Sequence, residues 1–329
     1  MIMEDQNKHS PLDRALKVYE GLTAEEINDI ERIALDRSNF IRSDYQLLDF
    51  GRGRRLEKFG DFLIDRPCPA VERVAKAEPK IWDNAQACFE DGGEKAGRWF
   101  FPRKSLPELW TIEFGGIRFE LKYTPQGQVG VFPEQAENWE WIRERGEGRG
   151  ERGEKQEDKL KVLNLFAYTG GSTLAAAAAG MEVTHVDAAQ NVVDWARRNA
   201  ELSGLADAPI RWICEDAWKF VKREIKRGNR YDAVILDPPS YGHGPKGEVW
   251  QLTKHLPMLL AQCAELVASQ CRFLLLTCHT PGYDAERLSD MLKEQFSINS
   301  DSSIDAKPLS IPTANGREMS SGAVARWKA

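Results

Sequence analysis

The chain has 329 residues, 42% of them hydrophobic, and a formal net charge of -6. That supplies the core of one large or two ordinary domains and excludes wholesale disorder. The mild negative charge excludes a protein that coats nucleic acid with its whole surface, but it leaves room for a local basic patch.

Residues 11 to 36 read as helical. Pro11 can open a helix, and Thr23 with Glu26 forms a capping box ahead of Ile27, Ile30, Ile33 and Leu35. Residues 1–40 are therefore expected to be a helical extension. The polar stretch Met1 to Arg14 is no signal peptide, and no apolar run approaches membrane-spanning length. The six cysteines form no CxxC pair, and no histidine cluster accompanies them at zinc spacing. A reducing cytoplasm, no metal and no membrane partner are the expectations.

From Tyr45 the period shortens. Tyr45 to Phe50 and Leu56 to Ile64 read as two strands around Gly51-Arg-Gly53. Trp110 to Phe114 and Ile117 to Tyr123 flank Gly115-Gly116, a hairpin signal. Val129 to Phe132 can add another strand. Residues 41–142 are thus expected to form a β-rich domain. Residues 143–159 contain no apolar side chain, and their acids and bases cancel, which predicts a charged linker.

Beyond residue 160 strands and helices alternate to the end of the fifth strand at Phe273 to Thr277. Near-continuous apolar strands separated by helices predict a parallel sheet covered on both faces. Ligands of such sheets sit outside the carboxyl ends of the strands. The first strand is followed by Ala167-Tyr-Thr-Gly-Gly171, where glycine and a helix N-terminus suit an anion. The second ends at Asp187, which can bond the hydroxyls of a ribose or cap the next helix. The third ends at Asp216, which can accept from an adenine amine or cap a helix. The fourth ends at Asp237-Pro-Pro-Ser-Tyr241, a rigid corner whose prolines cannot donate and whose carbonyls are expected to face outward.

VLNLFAYTGG, HVDAA, EDA and YDAVILDPPSYG together resemble the class I S-adenosylmethionine-dependent methyltransferases. More narrowly they resemble the bacterial large-subunit ribosomal RNA cytosine-5 methyltransferases, over about residues 110 to 329. The resemblance implies a Rossmann-like α/β methyltransferase domain over 160–329, following the smaller β-rich one. It places Phe166, Tyr168, Thr169, Gly170, Gly171, Asp187, Ala188, Asp216, Ala217 and Asp237 around S-adenosylmethionine. Gln135 falls in a segment similar to one that precedes the family's catalytic domain. Asp237, Pro238 and Pro239 would hold the target base, with Ser240, Tyr241, His243 and Lys246 as substrate contacts on a mobile, glycine-rich loop. RNA, ribosomal RNA first, is the implied partner.

Two chemistries stay open. In one, the Cys278 thiolate adds to cytosine C6 and C5 takes the methyl group. Counted from the strand start, however, Cys278 comes one residue earlier than the family's cysteine. In the other, Asp237 and the Pro238 carbonyl hold an exocyclic amine while Tyr241 stacks on the base, and Cys278 is a bystander. Arg52, Arg54, Arg55 and Lys58 offer an RNA-binding hairpin or a solvated face. A small-molecule or protein methyltransferase, or a catalytically silent RNA-binding protein, also fits the fold. A nicotinamide oxidoreductase shares the strand-glycine-helix and the acid after the second strand, but the missing Gly-x-Gly-x-x-Gly after Phe166 and an Asp-Pro-Pro without a role in hydride transfer disfavour it.

Overall fold

A computed structural model describes residues 44–93, 97–102, 106–147, 159–244, 247–267, 271–298 and 303–329. The helix expected within residues 1–40, most of the charged segment and Lys246 lie outside the described residues.

The described chain begins with a five-stranded sheet in sequence order: β1 (Tyr45–Gly51), β2 (Arg54–Phe59), β3 (Phe62–Pro67), β4 (Ala87–Glu90) and β5 (Arg98–Phe100). The single strand expected over Leu56 to Ile64 is two. Gly60, at φ +62°, turns the chain tightly, so that Phe59 pairs with Phe62. The hairpin of β6 (Leu109–Phe114) and β7 (Ile117–Lys122) forms around Gly115-Gly116, both at positive φ as such a turn requires. Val129 to Phe132 adds no strand; it leads into a 3-10 turn at Pro133–Gln135 and then α1 (Ala136–Glu147). The first residues of the expected linker are therefore helical.

The second half holds β8 (Lys161–Leu165), α2 (Gly171–Ala178), β9 (Glu182–Asp187), α3 (Gln190–Leu202), β10 (Ile210–Cys214), α4 (Ala217–Arg227) and β11 (Ala233–Leu236). A short hairpin, β12 (Tyr241–His243) with β13 (Val249–Gln251), follows, then α5 (Leu252–Leu266), β14 (Phe273–Cys278) and α6 (Ala285–Phe296). A long hairpin of β15 (Ile304–Pro312) and β16 (Glu318–Lys328) ends the chain. The sheet order is β10-β9-β8-β11-β14-β16-β15. Its first five strands are parallel, and β16 is antiparallel to both of its neighbours. This is the Rossmann-like α/β sheet preceded by a β-rich region that the sequence implied. The order reverses between β8 and β11, so the ligand crevice opens at their carboxyl ends.

One further expectation changes. Tyr241 to His243 is a paired strand rather than an open loop: Tyr241 faces Gln251 in the ladder, and Leu252 donates to the Ser240 carbonyl. Helix α5 carries Pro257 inside it.

The two regions are bonded together. Trp195 of α3 donates to the Glu120 carbonyl, and Asn199 accepts from the Glu120 amide. Arg317, on the turn of the β15–β16 hairpin, donates to Asp49 at 2.6 Å and to the Phe50 and Ala75 carbonyls. One core lies under β8, β11 and β14, where Leu165, Leu236, Leu276 and Cys278 meet Leu256 and Leu260 of α5 and Leu288 of α6.

Candidate functional site

The loop after β8 is strained. Phe166 and Tyr168 take φ of +56° and +48°, a conformation that side-chain-bearing residues reach only when held there, at about 1–3 kcal/mol each. Asp187 does the holding: Oδ2 accepts from the Tyr168 amide at 2.9 Å and Oδ1 from the Ala189 amide at 3.0 Å. Helix α3 is capped instead by Ala189, whose side chain makes no capping bond, so Asp187 is not a helix cap. Burial raises the Asp187 carboxyl, and the Ala189, Tyr168 and Ala188 amides pull it back only partly. Gly170, at φ +94°, stands before α2. Gly171 has a protein-packing reason: a Cβ there would lie 2.5 Å from the Trp139 ring. Thr169 turns inward, its hydroxyl donating to the Gly130 carbonyl.

Asp216 follows β10 and caps α4, Oδ1 accepting from the Lys219 amide at 3.0 Å. The same residue lines an open cavity of about 310 Å³ with Trp218, Val249, Trp250, His255 and Met258, edged by the Lys219–Glu248 ion pair. Flat aromatic walls beside a carboxylate fit an adenine ring. Ala217 is buried behind it, and Ala188 follows Asp187 directly, its carbonyl accepting from the Cys214 thiol. The strained loop, the Asp187 carboxylate and Asp216 beside this cavity stand after β8, β9 and β10, where the groove for a nucleoside cofactor is expected.

Asp237 ends β11 and is gripped on both oxygens. Thr277 donates to Oδ1 at 2.6 Å, and His279 Nε2 lies 3.3 Å from the same atom. Gln135 donates to Oδ2 at 3.1 Å. Gln135 is itself fixed by Asn138, which accepts two bonds from Arg326. Burial works against the Asp237 charge, but His279, Thr277 and Gln135 outweigh it and hold the carboxyl below its ordinary value. Burial opposes the charge on His279 too. Asp237, Glu134 and the Ser321 carbonyl overcome it and push the imidazole up to about 9. Glu134 and His279 are the site residues that sequence reasoning missed. Both lie far from Asp237 in the chain; Glu134 falls in the family-like segment that also holds Gln135, whereas no motif marks His279.

The corner itself differs from expectation. Pro238 is buried and Pro239 exposed, but the Pro239 carbonyl accepts from Trp250 Nε1 at 2.6 Å and is not free. Ser240 and Thr280 share a hydroxyl–hydroxyl bond of 2.6 Å. Tyr241 is exposed, its ring edge-on to His243 at 5.2 Å. Cys278 is fully buried in the core, and burial pushes its thiol up despite hydrogen bonds from Thr280. Thr277 and Cys278 alternate on β14, so the thiol leaves the sheet on the face opposite the hydroxyl that grips Asp237. The basic hairpin dissolves into ion pairs. Arg54 bonds Asp65 at 2.6 Å, and buried Arg55 lies 3.3 Å from Glu57, which leaves Arg52 and Lys58 exposed. All six cysteines are free, and no helix among the described residues is long and apolar enough to cross a membrane.

The chain is similar to known methyltransferases. The SAM-dependent methyltransferase from Agrobacterium tumefaciens is 39% identical, with a TM-score of 0.79 over 87% of this chain and 90% of that one. The ribosomal RNA large subunit methyltransferase I of Aeromonas hydrophila is 32% identical over 130 residues, 39% of this chain and 30% of the relative. The enzyme of the same name from Photobacterium profundum is 30% identical over 234 residues, 69% of this chain and 53% of the relative. The chain thus spans about a third to a half of the length of these two relatives. Residues 93–301 match the family described as S-adenosylmethionine-dependent methyltransferase, and the chain belongs to that family.

Proposed function

We propose that the protein methylates a base of large-subunit ribosomal RNA at the Asp237-Pro238-Pro239 corner. The names of the relatives support the substrate class. The observation that carries the site is Asp237, a carboxylate kept ionised by three side-chain partners at the end of the strand bordering the cofactor groove.

S-adenosylmethionine brings a methyl group already activated by its sulfonium, so the protein's work is alignment and exclusion of water. In this reading Asp187 takes the ribose hydroxyls and Asp216 the adenine amine. Gly170 and Gly171 border the methionine end, while Phe166, Tyr168, Thr169, Ala188 and Ala217 shape the groove. Tyr241, His243 and Ser240 meet the target nucleotide, the exposed tyrosine offering a face for a base to stack on. Lys246 has the charge for a phosphate contact.

An exocyclic amine is the acceptor this geometry favours, because it needs no thiolate and Cys278 is buried with its thiol pushed up. The Pro238 carbonyl receives the amine, and Asp237, ionised and partly open to solvent, takes the proton that leaves it. A cytosine-5 reading keeps one observation in its favour. Thr280 bonds both Cys278 and Ser240, which ties the thiol to the corner.

The test is methyl transfer from labelled S-adenosylmethionine to total RNA of a strain lacking the protein, followed by identification of the nucleoside. Label in a ribosomal base, lost in Asp237→Ala and kept in Cys278→Ala, supports the amine reading. A C5-methylated pyrimidine with an inactive Cys278→Ala selects the other. RNA that stays unlabelled with active protein overturns the proposal.

A further inference from the structure

His279 occupies a seat that the fold builds for it. Its Nε2 faces Asp237 Oδ1 at 3.3 Å, and its Nδ1 donates to the Ser321 carbonyl with Glu134 Oε1 at 3.8 Å. The Ser321 carbonyl is available because β16 bulges there. Leu309 pairs with Gly322, while Ser310 pairs with Ser320, so Ser321 is the extra residue. The bulge presses against the histidine: a Cβ on Gly322, at φ +120°, would lie 2.5 Å from the Cys278 carbonyl and 3.0 Å from His279 Nδ1. The Ser321 hydroxyl meanwhile donates to Glu134 Oε1 at 2.7 Å, which fixes the second carboxylate. Phe132 stacks alongside the ring at 6.5 Å and 27°. About a third of the His279 side chain remains exposed, as does a similar share of Asp237.

We propose that His279 is a positioning residue for methyl transfer, clamping the Asp237 carboxylate from the bulged strand β16 and the Glu134 turn. The inference rests on the reading of Asp237 as the residue that meets the acceptor. A bulge, a glycine with positive φ and a second carboxylate all converge on one imidazole, which core packing alone does not call for. The charged groups facing the ring are Asp237 and Glu134, both acidic, so the ring is held as the imidazolium at neutral pH. The clamp holds while the ring is protonated and loosens as the pH rises through about 9.

Two measurements on the full chain test this. The protein has five histidines, so histidine ring resonances can be assigned by substitution and followed against pH. His279 should titrate near 9 and move toward its ordinary 6.5 in Asp237→Asn. In the transfer assay, with deproteinised large-subunit ribosomal RNA as the probe, His279→Ala should lower kcat by roughly 10²-fold, as expected for a misplacement of about 1 Å. Its affinity for S-adenosylhomocysteine should be unchanged. His279→Gln, which keeps a donor but no charge, should recover part of kcat and lose the decline in activity near pH 9. A His279 resonance that titrates at 6.5 whatever stands at position 237, or wild-type kcat and pH profile in His279→Ala, overturns the proposal. If the wild-type protein methylates no RNA, the reading of its substrate fails, and the resonance still decides the clamp.

Discussion

Replacing Asp187 by asparagine removes a charge and one acceptor while leaving the shape. The carboxylate now serves two backbone amides, Tyr168 at 2.9 Å and Ala189 at 3.0 Å, and still has lone pairs for a ribose. An amide oxygen can serve one of those amides, and its NH₂ group then confronts the other, donor against donor. Bonds to a charged acceptor contribute about 1.5–3 kcal/mol each. Loss of the charged acceptor for two ribose hydroxyls, partly recovered by the neutral oxygen, therefore weakens cofactor binding by about 3 kcal/mol, roughly 10²-fold in Kd. The strained φ values of Phe166 and Tyr168 lose their support as well, which adds to the effect rather than opposing it. Calorimetric titration with S-adenosylhomocysteine measures this without knowledge of the methyl acceptor. Urea unfolding of the same variant checks that it remains folded. A folded Asp187→Asn protein that binds within about threefold of wild type would refute the assignment of Asp187 to the ribose.

Two further outcomes follow from buried charges. His185 is fully buried beneath Trp212, with Nδ1 3.0 Å from the Thr173 hydroxyl, and burial aided by Arg197 pushes it down to about 3. The unfolded chain takes up this proton near pH 6.5 and the folded chain does not, so stability is complete above 6.5 and falls toward 3. By pH 4.5 the loss should reach roughly 3 kcal/mol, and His185→Gln should flatten the slope of unfolding free energy against pH; parallel slopes would count against a neutral buried ring. Arg54 and Arg55 are committed to Asp65 and Glu57, so Arg54→Gln with Arg55→Gln should lower stability while the salt dependence of RNA binding stays put. A log–log slope shallower by about 2 would return both residues to the RNA interface.

The parallel sheet was legible because its strands are buried on both faces and read as unbroken apolar runs. The placement of Asp187, Asp216 and Asp237 at strand ends was legible because each closes or follows such a run. The partners of Asp237 were not. Gln135 lies 102 residues upstream, and the family-like segment that holds it does not point to Asp237; His279 follows β14, and a lone histidine after a strand carries no periodicity or spacing signal. The β15–β16 hairpin was missed as well, and with it the bulge at Ser321. Tyr241 to His243 read as a loop because glycine and proline dominate the segment, whereas three backbone positions suffice for a ladder with β13. Arg54 and Arg55 read as a basic patch because one dimension shows charges but hides their counter-charges across a sheet.

The grip on Asp237 is assembled from both sides of the charged segment. Glu134, Gln135 and Asn138 precede it, while Thr277, His279 and Arg326 follow it. The carboxy-terminal half is therefore not a portable module, although it carries all the strand-end motifs. Expressed alone it would keep the cofactor groove but leave Asp237 without Gln135, and His279 without its second acid. A chain severed between α1 and β8 would instead distribute the site over two fragments, each inert, that restore one another only by reassociating.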